Sequence, residues 1–453
     1  MRYEKVCFKQ LIANAMYFYD REPEIANLRE IEERSALFAQ MTMLIGRRRV
    51  GKTTLLRNAF AKTQVLYFFA AKKNEILLCE EFTRATAEKL GLSLGQFQSF
   101  AGLFKALMLH SKAQNFTLIV DEVQEFANIN PAVFSEIQHV WDTYKDESKI
   151  NVVFCGSIYA MMKRIFENSK EPLFGRATAK IILKPFDIQT IKHILSDHHP
   201  SYTADDLLSF YMLTGGIAKY IEQLVMNKAF TKKQIFDAVF HDGSFFLDEG
   251  RAVLIDEFGR DYSNYFSILS LLADGKTDRR ELESTLQIAA GGYLDKLENE
   301  YGLIKRRRPF GAKEGSRSNK YVIEDNFLNF WFRFIYKYRS AVEINNLDYV
   351  RRIVERDYET YSGVILEKYF RQQLAESRQF SEIGSYWDRK GENEIDIVAV
   401  NDFERKIVFY EVKRNEHRIS LNDLQLKSQG VVKHYAGYRV EYRKYSLKSI
   451  TAD

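Results

Sequence analysis

The chain has few cysteines and few prolines, and it has no long apolar run. Its three cysteines, Cys7, Cys79 and Cys155, include no CxxC pair, which disfavours a disulfide framework and a Cys-rich zinc site. The six prolines exclude Pro-rich linkers. No apolar run reaches the ~18 residues that a membrane helix needs, and residues 1–20 lack the layout of a signal peptide. We therefore expect a soluble cytoplasmic protein with no membrane part.

The composition is that of a globular protein with several domains. Its 453 residues correspond to about three domains at roughly 150 residues each. Apolar residues make up 46% of the chain and charged residues 28%, which excludes a disordered chain, a collagen and a coiled-coil rod. The 66 Lys and Arg exceed the 61 Asp and Glu by only five, so any surface for nucleic acid must be local.

Short apolar runs alternate with helix-like stretches over the first 190 residues, which predicts an α/β fold with a parallel sheet between helices. The expected strands are Met41–Gly46, Val65–Phe69, Phe116–Asp121, Asn151–Cys155 and Ala179–Leu183. The later residues divide into an all-helical segment (191–255), helices followed by two short basic strands (256–342), and a C-terminal α/β region (350–453). The sequence thus predicts four domains, of which residues 1–190 form the first.

A glycine-rich segment matches the phosphate-loop pattern G-x-x-x-x-G-K-[ST]. Its glycines let the backbone turn tightly, so that successive N–H groups and the start of the next helix point at phosphate oxygens. Lys52 is expected to reach the β- and γ-phosphates, and the Thr53 hydroxyl is expected to ligate Mg²⁺. The residues expected to bind ATP are Gly46, Arg47, Arg48, Arg49, Val50, Gly51, Lys52, Thr53 and Thr54.

A second motif, an apolar strand that ends in two acids, supports this interpretation. Residues 116–120 are followed directly by Asp121 and Glu122. An Asp at such a strand end holds Mg²⁺, usually through water, and the adjacent Glu122 is placed to orient and deprotonate an attacking water. The alternative is two solvated carboxylates that cap a strand. Next to a phosphate loop, the pair predicts ATP hydrolysis in preference to passive binding.

Two further positions are candidates for contacts with the γ-phosphate. The strand Asn151–Cys155 ends in Gly156 and Ser157, and a polar group there is placed to sense that phosphate. Arg176 follows Phe174 and Gly175, and it is a candidate to stabilise transition-state charge, in cis or toward a neighbouring subunit of a homo-oligomer. A surface salt bridge is the alternative role of Arg176.

The order of these motifs resembles that of archaeal-type ATPases, in the AAA+ and signal-transduction (STAND) branches of P-loop proteins. The matching segments are Phe18–Glu22, Gly46–Thr53, Val120–Glu122, Gly156–Ser157, Phe174–Arg176 and Leu213–Gly216. The resemblance covers roughly residues 15–340. It implies an ASCE-type sheet with an extra strand, here Asn151–Cys155, between the two Walker strands, and it implies that the helical segment of residues 191–255 is a lid. It also implies that residues 19–22 lie near the adenine. Ala218 stands where family members often have proline.

The pattern of residues 262–323 is typical of a winged helix-turn-helix. Three helix-like stretches, Tyr262–Ala273, Arg279–Thr285 and Ala289–Glu300, precede two short strands. The segment 303–323, which comprises these strands and the loop between them, has seven Lys/Arg against one acid. A basic wing suits DNA phosphates, and the third helix would lie in a major groove. That helix is acidic, however, so a packing module is the alternative. The aromatic run from Phe327 to Phe334 is expected to be core.

A second candidate active site lies near the C-terminus. Glu411 and Lys413 are two apart at the end of the apolar strand Ile407–Val412, so they share a face, and Asp396 lies on the preceding strand. Two carboxylates beside a lysine suit metal-dependent phosphodiester cleavage, in which Asp396 and Glu411 bind a second Mg²⁺ or Mn²⁺ and Lys413 orients water. Glu367 is a candidate for a further carboxylate. The alternative is an interaction domain whose acids are strand-edge charges.

Residues 350–453 also resemble the PD-(D/E)xK nuclease superfamily and the C-terminal domain of unknown function that is often attached to archaeal-type ATPases. The resemblance implies a restriction-endonuclease-like fold. We therefore expect a Mg²⁺-dependent ATPase that couples its nucleotide state to a nuclease-like, DNA-acting domain. A nucleotide-switched scaffold with a protein partner, and a DNA-binding regulator with a non-cleaving C-terminal domain, are the alternatives.

Overall fold

The computed structural model describes residues 18–258, 262–313, 318–388 and 393–450, without the side chains of residues 256 and 257. These residues form two compact units. The first unit comprises residues 20–184 and 299–302, and the second comprises residues 18–19, 185–298 and 303–450. Within the described ranges, no helix has both the length and the apolar character required to cross a membrane. The boundaries of the four predicted domains stay a prediction.

A five-stranded parallel sheet forms the centre of the first unit, in the order β2-β3-β4-β1-β5. Its strands are β1 (Gln40–Ile45), β2 (Val65–Phe69), β3 (Phe116–Asp121), β4 (Ile150–Gly156) and β5 (Ala179–Ile182). β1, β3 and β4 are buried along their whole length because helices cover both faces of the sheet. All five predicted strands are confirmed, and β4 lies between β1 and β3 as the ASCE-type resemblance implies.

The helices of the first unit enclose two apolar cores, one on each face of the sheet. Alternation along β4 sends Val152 into one core and Val153 into the other. Because β1, β3 and β4 are parallel, their carboxyl ends meet at one edge of the sheet, where the predicted ATP-site motifs follow. The helices are Glu22–Ser35, Lys52–Ala59, Glu75–Leu90, Phe100–His110, Phe126–Ile129, Val133–Tyr144 and Tyr159–Glu167.

Five helices open the second unit after residue 185. Two of them begin with a capping box: the Thr203 hydroxyl pairs with residue Asp206, and the Thr231 hydroxyl pairs with residue Gln234. Each box satisfies backbone N–H groups that the first helical turn leaves without partners. The five helices are Ile188–His198, Ala204–Thr214, Ala218–Met226, Lys232–Val239 and Phe245–Phe258.

The next segment contains the predicted helices and a two-stranded antiparallel hairpin, β6 (Ile304–Arg307) and β7 (Lys320–Ile323). The helix expected over residues 289–300 differs, because it is α-helical only over Gly291–Asp295 and continues as a π-helical turn. The carbonyl of Leu297 in that turn accepts the N–H of Leu303 and so joins the helix to the hairpin. The helical elements are Tyr262–Ala273, Arg279–Leu286, Gly291–Asp295, Lys296–Glu300, Asn326–Phe330, Trp331–Tyr336 and Arg339–Glu343.

The predicted aromatic core is confirmed, since Phe327, Phe330, Trp331, Phe332 and Phe334 are all buried. The C-terminal region starts with the helix Leu347–Glu376 and contains a second sheet in the order β11-β10-β9-β8. β8 and β10 are antiparallel to β9, whereas β11 is parallel to β10. The strands are β8 (Glu382–Trp387), β9 (Glu394–Asn401), β10 (Lys406–Lys413) and β11 (Arg439–Ser446).

Helices cover both faces of the C-terminal sheet. On one face, Phe409 packs in a core with Leu424 of the helix Leu421–Val432. On the other face, Tyr445 stacks on Phe370 of the helix Leu347–Glu376 and on Tyr410. This three-layer packing confirms an additional α/β sheet domain at the C-terminus, as the sequence predicts.

Candidate functional site

The phosphate loop connects the end of β1 to the helix Lys52–Ala59, as the motif predicts. A Cβ on Gly46 would lie 2.9 Å from Val50 Cγ1 and 3.1 Å from the Leu183 carbonyl oxygen, so only glycine fits. Gly51 has a φ of 101°, which glycine adopts without strain. The buried ammonium of Lys52 donates to the Gly46 carbonyl at 2.7 Å. The loop therefore encloses its own lysine, as a phosphate cradle requires.

Asp121 and Thr53 contact the same phenol. The Tyr67 hydroxyl donates to Asp121 Oδ2 at 2.7 Å and also hydrogen-bonds with the Thr53 side chain. Burial, reinforced by Asp121, raises the pKa of Tyr67 well above its ordinary value, so the phenol stays protonated and donates. The Asp121 carboxylate and the Thr53 hydroxyl are hard oxygen donors and fit Mg²⁺. Tyr67 was not predicted from the sequence, although it pairs with Ile119, which lies two residues before Asp121 and therefore on the same face of the sheet.

Glu122 follows Asp121 in the left-handed region, with a φ of 53°, and its carboxylate is held by two donors. Ser157 Oγ donates to Glu122 Oε2 at 2.8 Å, and the Gln124 amide donates to the same oxygen. A Cβ on Gly156 would lie 2.6 Å from the Gln124 carbonyl oxygen, so glycine at this strand end makes room for the amide. The structure thus brings Ser157 to Glu122, at the edge where the phosphate loop begins.

Arg176 makes an ion pair in this structure. Its guanidinium donates to both carboxylate oxygens of Asp142, with Nη2 at 2.8 Å from Oδ2, and to the carbonyls of Pro172 and Phe174. This corresponds to the salt bridge that sequence analysis kept as the alternative. Its role in charge stabilisation stays a prediction, as does its action in cis or in trans.

The remaining motifs of the ATPase resemblance occupy defined positions. In the second unit, the Tyr19 hydroxyl lies 3.2 Å from His198 Nε2. In the first unit, Arg21 Nη2 donates to the Lys184 carbonyl at 2.6 Å. Gly216, with a φ of 80°, accepts the N–H of Phe186, and a Cβ there would lie 2.2 Å from the Phe186 carbonyl oxygen. The proximity of residues 19–22 to adenine stays a prediction.

The C-terminal candidates lie together at the end of two paired strands. β9 and β10 are antiparallel, and Tyr410 pairs with Ile397. The next residue pair in this register is Glu411 with Asp396. Lys413 Nζ lies 3.2 Å from Asp396 Oδ2 and 3.2 Å from Glu411 Oε1. Burial lowers the pKa of Lys413, but the two carboxylates outweigh it and raise the pKa above its ordinary value. The ammonium therefore stays charged between them.

Two residues of the helix Leu347–Glu376 complete this site. Burial and the Asp396 charge raise the pKa of Glu367 to about 8. Arg371 Nη2 donates to the carbonyl of Asp396 at 3.0 Å and to Ser385 Oγ at 2.6 Å. Sequence analysis identified Glu367 as a candidate and missed Arg371, because a single arginine on a long helix carries no motif.

The C-terminal carboxylates have capacity for a cation. Glu411 is 8% exposed, and its buried Oε2 has no hydrogen-bond partner. Asp396 is 9% exposed and accepts the N–H of Val412 through Oδ2. Among the described residues, no group of three or more His, Cys, Asp and Glu is arranged to hold a metal ion. The unpartnered Oε2 of Glu411 and the carboxylate of Asp396 are hard oxygen donors of the kind that divalent cations take as ligands.

Two segments of the chain match known protein families. Residues 18–224 match the family described as "ATPase domain predominantly from Archaea". Residues 331–425 match the family described as "Archaea bacterial proteins of unknown function". The chain therefore carries an archaeal-type ATPase domain over residues 18–224, followed by a C-terminal domain of the second family over residues 331–425. The predicted resemblance to archaeal-type ATPases with a C-terminal domain of unknown function is confirmed.

Similar proteins come from archaea. The chain is 27% identical over 440 residues to the uncharacterized protein MJECL04 of Methanocaldococcus jannaschii, with 95% of this chain and 92% of that protein covered. The Walker-type ATPase PABY2304 of Pyrococcus abyssi has a TM-score of 0.52 at 18% identity, over 70% of this chain and 96% of that chain. The ORC2 protein of Aeropyrum pernix, solved in ADPNP-ADP complexes, has a TM-score of 0.48 at 12% identity, over 74% of this chain and 95% of that chain. The Pyrococcus structure confirms the P-loop ATPase fold.

Proposed function

We propose that this protein is a Mg²⁺-dependent ATPase that couples its nucleotide state to phosphodiester cleavage by the C-terminal domain, with DNA as the substrate. The observation that supports phosphodiester cleavage is the position of Lys413, whose ammonium lies 3.2 Å from oxygens of both Asp396 and Glu411. Two buried carboxylates beside a charged lysine suit metal-dependent phosphodiester hydrolysis.

At the ATP site, each residue has a defined task. Lys52 and the loop N–H groups bind the β- and γ-phosphates, and Thr53 and Asp121 hold Mg²⁺. Mg²⁺, when bound, neutralises negative charge on the phosphates. Glu122 orients the attacking water and accepts its proton. Because Ser157 and Gln124 hold the Glu122 carboxylate in this structure, it turns toward the water only when these bonds rearrange.

At the C-terminal site, Asp396 and Glu411 hold a divalent cation, Mg²⁺ or Mn²⁺. The cation, when bound, supplies an activated water at neutral pH. Lys413 orients that water and offsets charge on the phosphate under attack. Since the pKa of Glu367 is about 8, its carboxyl is mostly protonated near pH 7, which limits charge repulsion with Asp396.

Contacts within the second unit offer a route by which the helical lid can act on the C-terminal domain. The Arg414 guanidinium, one residue after Lys413, donates to Asp205 of the lid at 2.7 Å. The Tyr211 hydroxyl of the lid donates to the side-chain oxygen Oε1 of Gln372 at 2.6 Å. Gln372 lies on the helix that carries Glu367. A shift of the lid would therefore displace the end of β10, which carries Glu411, and the helix Leu347–Glu376, which carries Glu367.

The test measures cleavage of plasmid and single-stranded DNA in Mg²⁺ or Mn²⁺, with and without ATP, beside ATP hydrolysis by the same protein. We expect Asp396→Asn and Lys413→Met to lose cleavage while they hydrolyse ATP normally. We expect Lys52→Ala to lose ATP hydrolysis and the ATP dependence of cleavage.

Glu404 provides the matched control, because Glu404 and Lys406 repeat the Glu-x-Lys spacing in an ion pair of 2.9 Å outside the site. Glu404→Gln is expected to cleave like the wild-type protein. Cleavage that persists in both Asp396→Asn and Lys413→Met contradicts the assignment of the site, and wild-type ATP hydrolysis in Lys52→Ala contradicts the ATPase half.

A second candidate function is a nucleotide-switched scaffold or DNA-binding regulator whose C-terminal domain does not cleave. The buried hydrogen bond between Ser209 of the lid and Tyr358 of the C-terminal helix, 2.7 Å long, favours it, because such a contact transmits a lid movement without any chemistry. Absence of cleavage under every condition, together with nucleotide-dependent retention of a protein partner or of DNA, supports this candidate.

A further inference from the structure

The basic hairpin is joined directly to the C-terminal sheet. Beyond β6, Pro309 forms a parallel bridge with Ser385 of β8, and the Phe310 N–H donates to the Ser385 carbonyl at 2.7 Å. The Phe310 ring is buried in the core of the C-terminal sheet. A Cβ on Gly384 would lie 2.9 Å from this ring, so glycine there admits it. One strand of the hairpin is therefore anchored in the C-terminal domain.

The other strand of the hairpin is anchored as well. Lys320 Nζ lies 2.7 Å from Glu394 of β9 and 4.7 Å from the centre of the Trp387 ring. The Trp387 indole donates to the Ser318 carbonyl at 3.1 Å. Both strands of the hairpin are thus attached to the C-terminal sheet, the sheet that carries Asp396 two residues after Glu394.

The two faces of β6 differ in their electrostatic surroundings. Side chains two apart on a strand share a face, so Lys305 and Arg307 point one way and Arg306 points the other. Arg306 faces an acidic helix and lies 3.8 Å from Glu298. Arg307 lies 3.4 Å from the Glu324 carboxylate. The Lys368 ammonium donates to the backbone carbonyl of Glu324.

Cations outnumber acids on the face of Lys305 and Arg307. Burial raises the pKa of Glu324, but Lys368, Arg307 and Lys305 outweigh it and hold the pKa below its ordinary value. Three cations therefore act on the one carboxylate Glu324. A fourth cation, Arg371, lies on the same helix as Lys368, three residues further on, and donates to the Asp396 carbonyl.

We propose that Lys305, Arg307, Lys368 and Arg371 form a binding surface for the phosphate backbone of nucleic acid, beside the Asp396, Glu411 and Lys413 site. The surface rests on the proposed function, since it supplies the substrate contacts that phosphodiester cleavage needs. A run of cations that faces one way and adjoins two carboxylates and a lysine suits a polyphosphate chain, whose charges extend across several positions.

The test compares two double variants of the full-length protein. Lys305→Ser with Arg307→Ser removes two charges from the proposed face. The control, Arg306→Ser with Arg308→Ser, removes one charge from the other face of the strand and one from the residue that follows the strand. Binding of fluorescent duplex DNA, single-stranded DNA and single-stranded RNA is measured by anisotropy in EDTA, so that no cleavage intervenes. We expect the first variant to bind roughly tenfold more weakly or worse, with a log–log salt slope lower by about 2, while the control keeps wild-type binding.

Equal loss in both variants, no loss in either, or no binding by the wild-type protein overturns the proposal. If the first variant does not fold, Lys305→Glu on an exposed side chain replaces it and is expected to show the same selective loss. Binding that depends on Lys305 and Arg307 without any cleavage in Mg²⁺ or Mn²⁺ contradicts the cleavage proposal and leaves the surface intact. Cleavage that does not depend on Lys305 or Arg307 contradicts the proposed surface and leaves the cleavage proposal intact.

Discussion

The Tyr67 hydroxyl donates a 2.7 Å hydrogen bond to Oδ2 of Asp121. Because the same phenol hydrogen-bonds with Thr53, it links the two side chains that are expected to hold Mg²⁺. Partners of this kind orient metal ligands, and their loss commonly weakens metal affinity by about 10- to 100-fold. Tyr67 is therefore a positioning residue for the ATP site.

Tyr67→Phe is expected to raise the Mg²⁺ concentration needed for half-maximal ATP hydrolysis by about tenfold, because Asp121 loses its donor. Binding of a fluorescent ATP analogue, titrated with Mg²⁺, provides a readout that is independent of turnover. Tyr438→Phe is the control, since its hydroxyl makes a similar 3.0 Å bond to Asp402 in the C-terminal domain. An unchanged Mg²⁺ requirement in Tyr67→Phe contradicts the assignment.

Glu122→Gln is expected to bind ATP with wild-type affinity and to lower the hydrolysis rate by roughly 10²- to 10⁴-fold, because an amide cannot accept the proton of the attacking water. ATP binding and single-turnover hydrolysis are measured on the same preparation. Glu136→Gln, on an exposed face of the helix Val133–Tyr144, is the matched control. Hydrolysis within a few-fold of the wild-type rate would remove Glu122 from its role as base.

Arg176 and Asp142 can be separated experimentally. If Arg176 stabilises transition-state charge, Arg176→Ala lowers the hydrolysis rate strongly, whereas Asp142→Asn releases the guanidinium and preserves the rate. Mixing Arg176→Ala with Glu122→Gln tests action in trans, because only a shared site between subunits restores activity. Equal, small effects of Arg176→Ala and Asp142→Asn on rate, with equal losses of thermal stability, assign the pair to structure alone.

Asp205→Asn is expected to destabilise the protein by about 2 kcal/mol at neutral pH, because Arg414 and Lys232 lose their partner. Burial raises the pKa of Asp205, but hydrogen bonds from Lys232, Arg414 and Tyr358 outweigh it and hold the pKa below its ordinary value. The stabilisation is therefore complete above the unfolded-state pKa of about 3.9 and is lost as the pH falls through the lower folded-state pKa.

Denaturant unfolding at several pH values between neutral and about pH 3 checks this dependence. The difference between the wild-type protein and Asp205→Asn should shrink only in the acid range. The exposed Asp242 supplies the control variant Asp242→Asn, which should show no such dependence. A difference that stays constant down to acid pH contradicts the ion-pair account of Asp205.

Local patterns were sufficient to predict the strands of the first sheet and the phosphate loop. β2 and β3 have the predicted bounds because both are short apolar runs between polar segments. The helix Leu421–Val432 and the strand β11 were not predicted, since β11 alternates charged and aromatic residues with little burial. The π-helical turn Lys296–Glu300 was also missed, because no residue pattern marks it.

The sequence by itself determined the chemistry of the ATP site, since its phosphate-binding groups come from one contiguous loop and its two acids directly end a strand. It also determined the Asp396, Glu411 and Lys413 set, because adjacent antiparallel strands and a spacing of two bring these residues together. Only the tertiary structure decided that Tyr67 joins Asp121 to Thr53, that Asp142 pairs with Arg176, and that Arg307 pairs with Glu324. These contacts join residues that are far apart in the chain, and their geometry depends on how whole strands and helices pack.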